Sequence, residues 1–352
     1  MHGHTAGRWL IGLLGLLLSI APPAPSADGV RGALDDENDG FASHDDQHYT
    51  QGLLFSALYP ALAGDDRLSD AFDAIGTLLP PFRAGAESQR RIAWLVLGQS
   101  LFTPEDLAMV PPNPRDRPYA AWLYTGINLL QQDRGQWLNS LELLGGVVGA
   151  DALGKQLQNG THHLLGWNEA QGWDYQLPNR ATGQLSYDIK RRLGLPISGD
   201  LAIDAVPEAG ISMGNVYRYV DAGALLRIGN ALGVDYGPEH IRPAASGTAW
   251  FDGDALGAGF PRGYLYTGFQ SRRVYYNLFI DGASEVAPPG IMRRSSVVDV
   301  LVGGALFLPW AIRVDFAATR RGQEYYGQRC YQPGPPRDCD DVFGSIVVSM
   351  NL

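Results

Sequence analysis

Two short stretches near the start of the chain concentrate groups that can bind and react. Glu37-Asn38-Asp39-Gly40-Phe41 sets two carboxylates and an amide close together, and His48-Tyr49-Thr50-Gln51-Gly52 follows soon after. Oxygen donors at that density suit a hard cation, Ca²⁺ rather than Zn²⁺. Asp35, Glu37, Asp39 and Gly40 also imitate the opening of an EF-hand loop, with Asp46 at its twelfth place. That loop requires a bidentate Glu there and a helix on each side. A strand follows here instead, so the EF-hand is rejected and the oxygen-donor chemistry is kept. A solvated acidic turn is the plain alternative.

A base for such a site lies further along. Gln158-Asn159-Gly160-Thr161-His162-His163 spaces Gln158 and His162 so that a helix would put them on one face. His162 can act there as a general base, its other ring nitrogen oriented by a neighbour. A surface or structural His is the alternative. Gly210-Ile211-Ser212-Met213-Gly214 matches the nucleophile-elbow pattern, which demands a strand, a sharp turn and a helix. The residues after it, Asn215 to Asp221, are Tyr-rich and strand-like, so the match is taken as chance. In Arg115-Asp116-Arg117-Pro118-Tyr119-Ala120 the guanidinium forks of Arg115 and Arg117 suit phosphate groups. The competing reading is a turn entering a strand, with Asp116 and Arg117 paired to each other.

The elements that must carry these groups are strands. From Arg273 to Asp281, Val274, Tyr276, Leu278 and Ile280 share one face, opposite Arg273, Tyr275, Asn277 and Asp281. Trp310, Ile312, Val314 and Phe316 oppose Arg313 and Asp315. Gly344, Ile346, Val348, Met350 and Leu352 oppose Ser345, Ser349 and Asn351. A period of two with one apolar face marks a strand. Repeated strands of that length with aromatic ends fit an antiparallel transmembrane β-barrel, with a soluble periplasmic sandwich of apolar inner face as the alternative. The strand that runs to the last residue, with no helical domain between, favours the barrel. Asp151 to Leu165 interrupts the alternation as a short helix, with Leu153 and Leu157 one turn apart and Asp151 able to cap it.

Bulk properties set the compartment. The chain has 352 residues, a formal charge of -10 and a pI of about 5.1, which excludes nucleic acid as a partner. Arg8, the apolar run Trp9 to Ile20 and Ala24-Pro25-Ser26-Ala27 read as a secretory signal cleaved after Ser26 or Ala27. This gives a leader over 1–26 and a single barrel over 27–352. Cys330 and Cys339 are the two cysteines, and in an exported chain they read as one local disulfide. A metal pair is the weaker reading, because no His lies near them in the sequence.

These segments together resemble the outer-membrane lipid A 3′-O-deacylase family. The matching pieces begin with Glu37-Asn38-Asp39-x-Phe41, Tyr49-Thr50-x-Gly52 and Asp116-Arg117-Pro118-Tyr119-Ala120-x-Trp122-Leu123. They continue through Gly154-Lys155-Gln156-x-Gln158-Asn159-Gly160-x-His162 and Gly172-Trp173-Asp174-x-Gln176-Leu177. Gly214-Asn215-Val216-Tyr217 and Asn277-x-Phe279-x-Asp281-Gly282 complete the order. The resemblance implies a barrel of about 12 strands in the bacterial outer membrane, with short helices near the site, acting as a Ca²⁺-dependent esterase. Its implied substrate is lipid A (lipopolysaccharide), from which the 3′-linked acyloxyacyl chain is removed, and a monomer is expected. It implies that His162 activates water, that Asn38 and Asp39 are an essential pair, and that Asp39, Thr50 and Glu169 hold the metal. The register of Glu169, beside Asn168, is the least defined match. Gln158, Arg115 and Arg117 are candidate substrate contacts. Arg180 stands where the family often has Glu, and Gln51 where Asn is common.

Overall fold

The computed structural model describes residues 31–41, 47–60, 66–82, 90–133, 136–238, 240–242, 245–246, 250–252, 256, 261–330 and 337–351. The expected leader and Asp46 lie outside these residues. The described wall has twelve antiparallel strands: β1 Arg31–Asn38, β2 His48–Pro60, β3 Arg90–Thr103, β4 Ala120–Asp133, β5 Trp137–Val148 and β6 Arg180–Arg191. They continue with β7 Leu201–Gly214, β8 Tyr217–Gly229, β9 Arg262–Asn277, β10 Ser296–Leu308, β11 Ile312–Arg321 and β12 Asp341–Asn351. Beyond Arg192, β6 runs on along β7 as Leu193–Ser198. Each strand pairs with its neighbours in sequence, and β1 pairs with β12 from Arg31↔Asn351 to Asn38↔Gly344. The sheet is therefore a closed up-and-down barrel without edges.

The two faces of the wall decide between barrel and sandwich. On β11, Arg313 and Asp315 are 1% and 0% exposed in their side chains, pointing into the lumen. Large apolar side chains are exposed on the outer face, with Phe316 of β11 at 47% and Val302 of β10 at 59%. A soluble sandwich buries its apolar face; a membrane barrel turns it to lipid. Among the described residues no helix is long and apolar enough to cross a membrane.

Among the described residues, charge networks and part of a folded connection occupy the lumen. Arg227 bonds both Asp204 and Asp235, Arg313 bonds Asp315, and Arg272 forks onto Asp299 at 2.8 and 3.0 Å. The described part of the β8–β9 connection turns inward to meet them. Its Leu232 carbonyl accepts from Arg227, and its Ile241 N–H donates to Glu37 at 2.9 Å. Phe251 from the same connection packs under the Arg31 guanidinium at 3.8 Å.

The strand expected to run to Asp281 stops at Asn277. Its side chain accepts from the Phe279 N–H at 3.0 Å and starts a short helix, α3 (Leu278–Asp281), preceded in the chain by α1 (Asp66–Leu78) and α2 (Gly154–Leu165). Leu278, Phe279 and Ile280 are all buried at the barrel rim. Three consecutive apolar groups cannot all be covered by one face of a strand, so the alternation breaks there. The expected cap of α2 also differs. Asp151 lies in a preceding 3₁₀ turn, and the N-cap is Leu153 at φ 61°, without a side-chain cap bond.

Placing a charge on the outward face at mid-strand tests the barrel assignment. Val302→Arg is expected to lower the stability of the folded barrel by about 2–4 kcal/mol, read by denaturant titration in lipid vesicles. A change near zero would mean that this face does not meet hydrocarbon.

Candidate active site

The candidate groups of the β1–β2 turn lie at the rim opposite the termini, and those of α2 lie on the outer side of the wall beside β3 and β4; no hydrogen bond or ion pair among the described residues joins the two sets. In β1, Ala33, Asp35 and Glu37 face the lumen, so Asp36 and Asn38 face outward. Cross-strand register puts Gln51 of β2 opposite Asn38 and Leu101 of β3 opposite Gln51. A register shift at Tyr49/Gln51 leaves Thr50 as an extra residue in β2. Its hydroxyl and that of Thr103 share a hydrogen bond of 2.7 Å. Asn38 Oδ1 accepts from the Gly40 N–H at 2.7 Å, and the buried Asp39 accepts from the Gln47 N–H at 2.8 Å. The two sequence stretches are thus tied together across the turn between β1 and β2.

Helix α2 folds onto this outer wall. Ala121 of β4 lies between lumen-facing neighbours and pairs with Leu101, so both point outward. They join Tyr119, Ala152, Ala170 and Trp173 in a buried apolar cluster outside the lumen. Gly154, at the helix start, makes this approach possible: a Cβ there would lie 2.5 Å from Ala121 Cβ and 2.6 Å from the Trp173 ring. Gln99 of β3 donates to the Ala152 carbonyl and holds the same end of the helix to the wall.

Gln158 and His162 occupy the buried face of α2. Gln158 accepts the indole N–H of Trp173 at 2.8 Å, so it orders the cluster. The chain reverses after Leu165 and runs back along the helix. The Trp167 N–H donates to the His162 carbonyl at 2.8 Å, and Asn159 exchanges two bonds with the backbone of Ala170. Between these anchors, the Asn168 carbonyl meets His162 Nδ1. A carbonyl can only accept, so Nδ1 carries the proton and, in the neutral ring, Nε2 carries the lone pair. Glu169 sits between the two pinned residues with its side chain exposed.

The two candidate arginines separate. Arg115 is exposed in the connection between β3 and β4. Arg117 is fully buried on the lumen side, over the Phe102 ring, and its Nη2 donates to Glu324 at 2.5 Å. It does not reach the outer wall, and its place as a substrate contact gives way to a structural ion pair. Asp116 does not pair with the Arg117 guanidinium. Its carboxylate accepts the Arg117 and Glu105 N–H groups, both at 2.7 Å, and the Tyr325 hydroxyl. Arg180 pairs with Glu285. Ser212 lies within β7, buried and bonded to Ser186, with no elbow around it.

One group escaped the motif reading. Asp36 points outward beside Asn38, Gln51 hydrogen-bonds its carboxylate, and its Oδ1 is buried without a hydrogen-bond partner. The period of two in Arg31–Asn38 could have exposed it, since it shares the face of Asn38 and opposes Asp35 and Glu37.

A family model described as outer membrane protein LpxR matches residues 10–352. The chain belongs to that family. LpxR from Salmonella typhimurium has a solved structure that covers 92% of this chain and 100% of its own, with TM-score 0.67 and 16% identity. At that identity the likeness establishes the shared barrel fold. The β domain of the Bordetella autotransporter BrkA covers 92% of this chain and 98% of its own, with TM-score 0.44 and 10% identity. The translocator domain of NalP from Neisseria meningitidis covers 99% and 96%, with TM-score 0.37 and 8% identity. Neither score is high enough to bear on the reading. Among curated proteins, none matches the chain significantly.

In this LpxR-family barrel the rim is also braced on the lumen side, and the brace has a pH signature. Burial raises the Glu324 carboxyl, but Arg117, then Arg321, outweigh it and hold it below its ordinary range. A carboxyl lowered on folding stabilises the fold fully above its unfolded pKa, and that stability is lost as pH falls through the folded value. Denaturant unfolding on an acid pH series should therefore show a stability loss that Glu324→Gln reduces. An identical acid slope in the variant would remove the pair from this role.

Proposed function

We propose that this chain is an esterase of lipid A in the outer membrane, releasing the 3′-linked acyloxyacyl chain by hydrolysis. The observation that carries this reading is the polar patch of Asp36, Asn38 and Gln51 on the outward face of the wall. A carboxylate on the lipid-side face of a barrel, buried with one oxygen unpartnered, is costly and persists where it has a task. A patch at the rim, with a buried base on a helix covering the adjacent strands, suits a substrate that is itself a lipid. Membership of the LpxR family supports the same conclusion.

His162 is the proposed general base. The Asn168 carbonyl holds Nδ1–H and fixes the ring, leaving Nε2 to take a proton from water. The hydroxide equivalent adds to the ester carbonyl and forms a tetrahedral oxyanion. Collapse breaks the bond to the sugar oxygen, which recovers the proton from the imidazolium. The products are the free acyloxyacyl acid, its secondary ester intact, and a lipid A 3′-hydroxyl. Asn38 and Asp39 shape the turn beside this reaction, and Arg115 is the exposed cation available to an anionic headgroup.

The donor chemistry of the patch fits Ca²⁺. Asp36 offers a buried oxygen without a hydrogen-bond partner, Asp39 follows it three residues on, and the joined hydroxyls of Thr50 and Thr103 stand on the next two strands. These are hard ligands with no soft competitor among them. Asp39, Thr50 and Glu169 are the proposed ligands, joined by Asp36. A bound Ca²⁺ would supply Lewis-acid stabilisation of the developing oxyanion.

Mass spectrometry of lipid A incubated with the folded barrel tests this. Loss of the acyloxyacyl group is expected, abolished by a chelator and slowed about 10²–10⁴-fold by His162→Ala. Asp36→Asn is expected to raise the Ca²⁺ concentration needed for half-maximal activity. Unchanged lipid A from a correctly inserted barrel would sink the proposal.

A further inference from the structure

The stretch Gln47 to Thr50 reaches to a second cluster on the far side from Asp39. His48 is fully buried, sits at φ 63°, and meets the Arg329 carbonyl through Nε2 at 2.6 Å. That oxygen can only accept, so Nε2 carries the proton and Nδ1 the lone pair. Nδ1 is buried and has no hydrogen-bond partner. A ring nitrogen of His48 and the sulfurs of Cys330 and Cys339 all lie within 4.8 Å of one another. The fold thus supplies the histidine that the sequence around the cysteines lacks.

The sulfurs are joined here as a disulfide, with Cα atoms 5.7 Å apart. Their proximity does not depend on that bond alone. Arg329 pairs with Asp338 and Cys330 with Arg337 in a short antiparallel ladder. A nitrogen lone pair with no hydrogen to accept costs stability when buried, unless something else takes it. An imidazole held by a backbone carbonyl through one nitrogen, with its ring beside two sulfurs and its other nitrogen without a hydrogen-bond partner, has the second-shell arrangement of a metal ligand.

We propose that in its dithiol form the cluster His48, Cys330 and Cys339 binds one thiophilic d¹⁰ cation, of which Zn²⁺ is the probe. A thiol or phosphine reductant delivers two electrons and two protons to the disulfide and gives two thiols. Metal binding then displaces both protons, and Nδ1 donates the third electron pair. Two thiolates and one imidazole are a soft donor set, distinct from the oxygen site around Asp39. The two sites are linked through one backbone run, since Gln47 donates to Asp39 and Tyr49 donates to Asp341 at 3.2 Å. Metal or disulfide at one end of this run therefore bears on the placement of Asp39 and Thr50 at the other.

The test uses the full barrel in detergent, reduced and desalted without oxygen, with Zn²⁺ affinity read by competition against a chromophoric chelator. Heat-modifiable gel migration reports that the barrel stays folded. One equivalent is expected to bind to the reduced protein, and none at this site to the oxidised protein or to Cys330→Ser/Cys339→Ser. His48→Asn tolerates the positive φ and is expected to weaken binding on the order of tenfold or more. Equal affinity in folded His48→Asn, or no Zn²⁺ on the folded reduced wild type, overturns the proposal. If His48→Asn does not fold, alkylation of the reduced wild type decides. Zn²⁺ must slow modification of both cysteines, and an unchanged rate overturns the site.

Discussion

The contact on which the rest depends is the ladder between β1 and β12. A strand in hydrocarbon has no water to satisfy its backbone, so every N–H and C=O must find a neighbouring strand. Pairing Arg31 with Asn351 and Asn38 with Gly344 completes that requirement. Closure gives the wall an inside and an outside of opposite chemistry. Inside, Arg227, Arg272 and Arg313 meet Asp204, Asp299, Asp235 and Asp315 out of reach of lipid. Each buried cation there is matched by carboxylates, which is the condition for keeping such charges out of water. The described part of the β8–β9 connection adds Ile241 and Phe251 to the same interior.

Against that background the outer rim of β1 to β4 is an exception with a cause. Asp36, Asn38 and Gln51 break the apolar outer face, while Leu101 and Ala121 beside them are covered by α2 and Trp173. The helix is placed by Gly154 and Gln99 at its start and by the return of the chain through Asn168 at its end. One local fold therefore does two things: it shields the wall and sets the protonation pattern of His162.

The alternation of residues made much of this legible. Arg313 and Asp315 against Val314 and Phe316 showed a two-faced strand, but the pattern alone left both a barrel and a sandwich open. Only the exposure of Phe316 and the burial of Arg313 separates them, because period two does not say which face meets water. Helix α2 was readable from its spacing. Its cap was not, because Leu153 in the left-handed region carries no sequence signature. The two arginines part company: Arg115 is exposed, while Arg117 is claimed by Glu324 from a distant connection, which spacing cannot show. His48 near Cys330 was equally hidden, since such a contact exists only once the barrel has closed.

The position of α2 on the outside of the wall has a kinetic corollary. On the proposed reading the site opens sideways, into the plane of a leaflet, and is not fed from bulk solution. Its ligand arrives by lateral diffusion, and occupancy follows the number of molecules per unit area of membrane. Diluting the suspension would leave that surface density unchanged, whereas adding inert lipid or detergent would lower it. For an enzyme built this way, the natural variable on the abscissa is a mole fraction in the membrane.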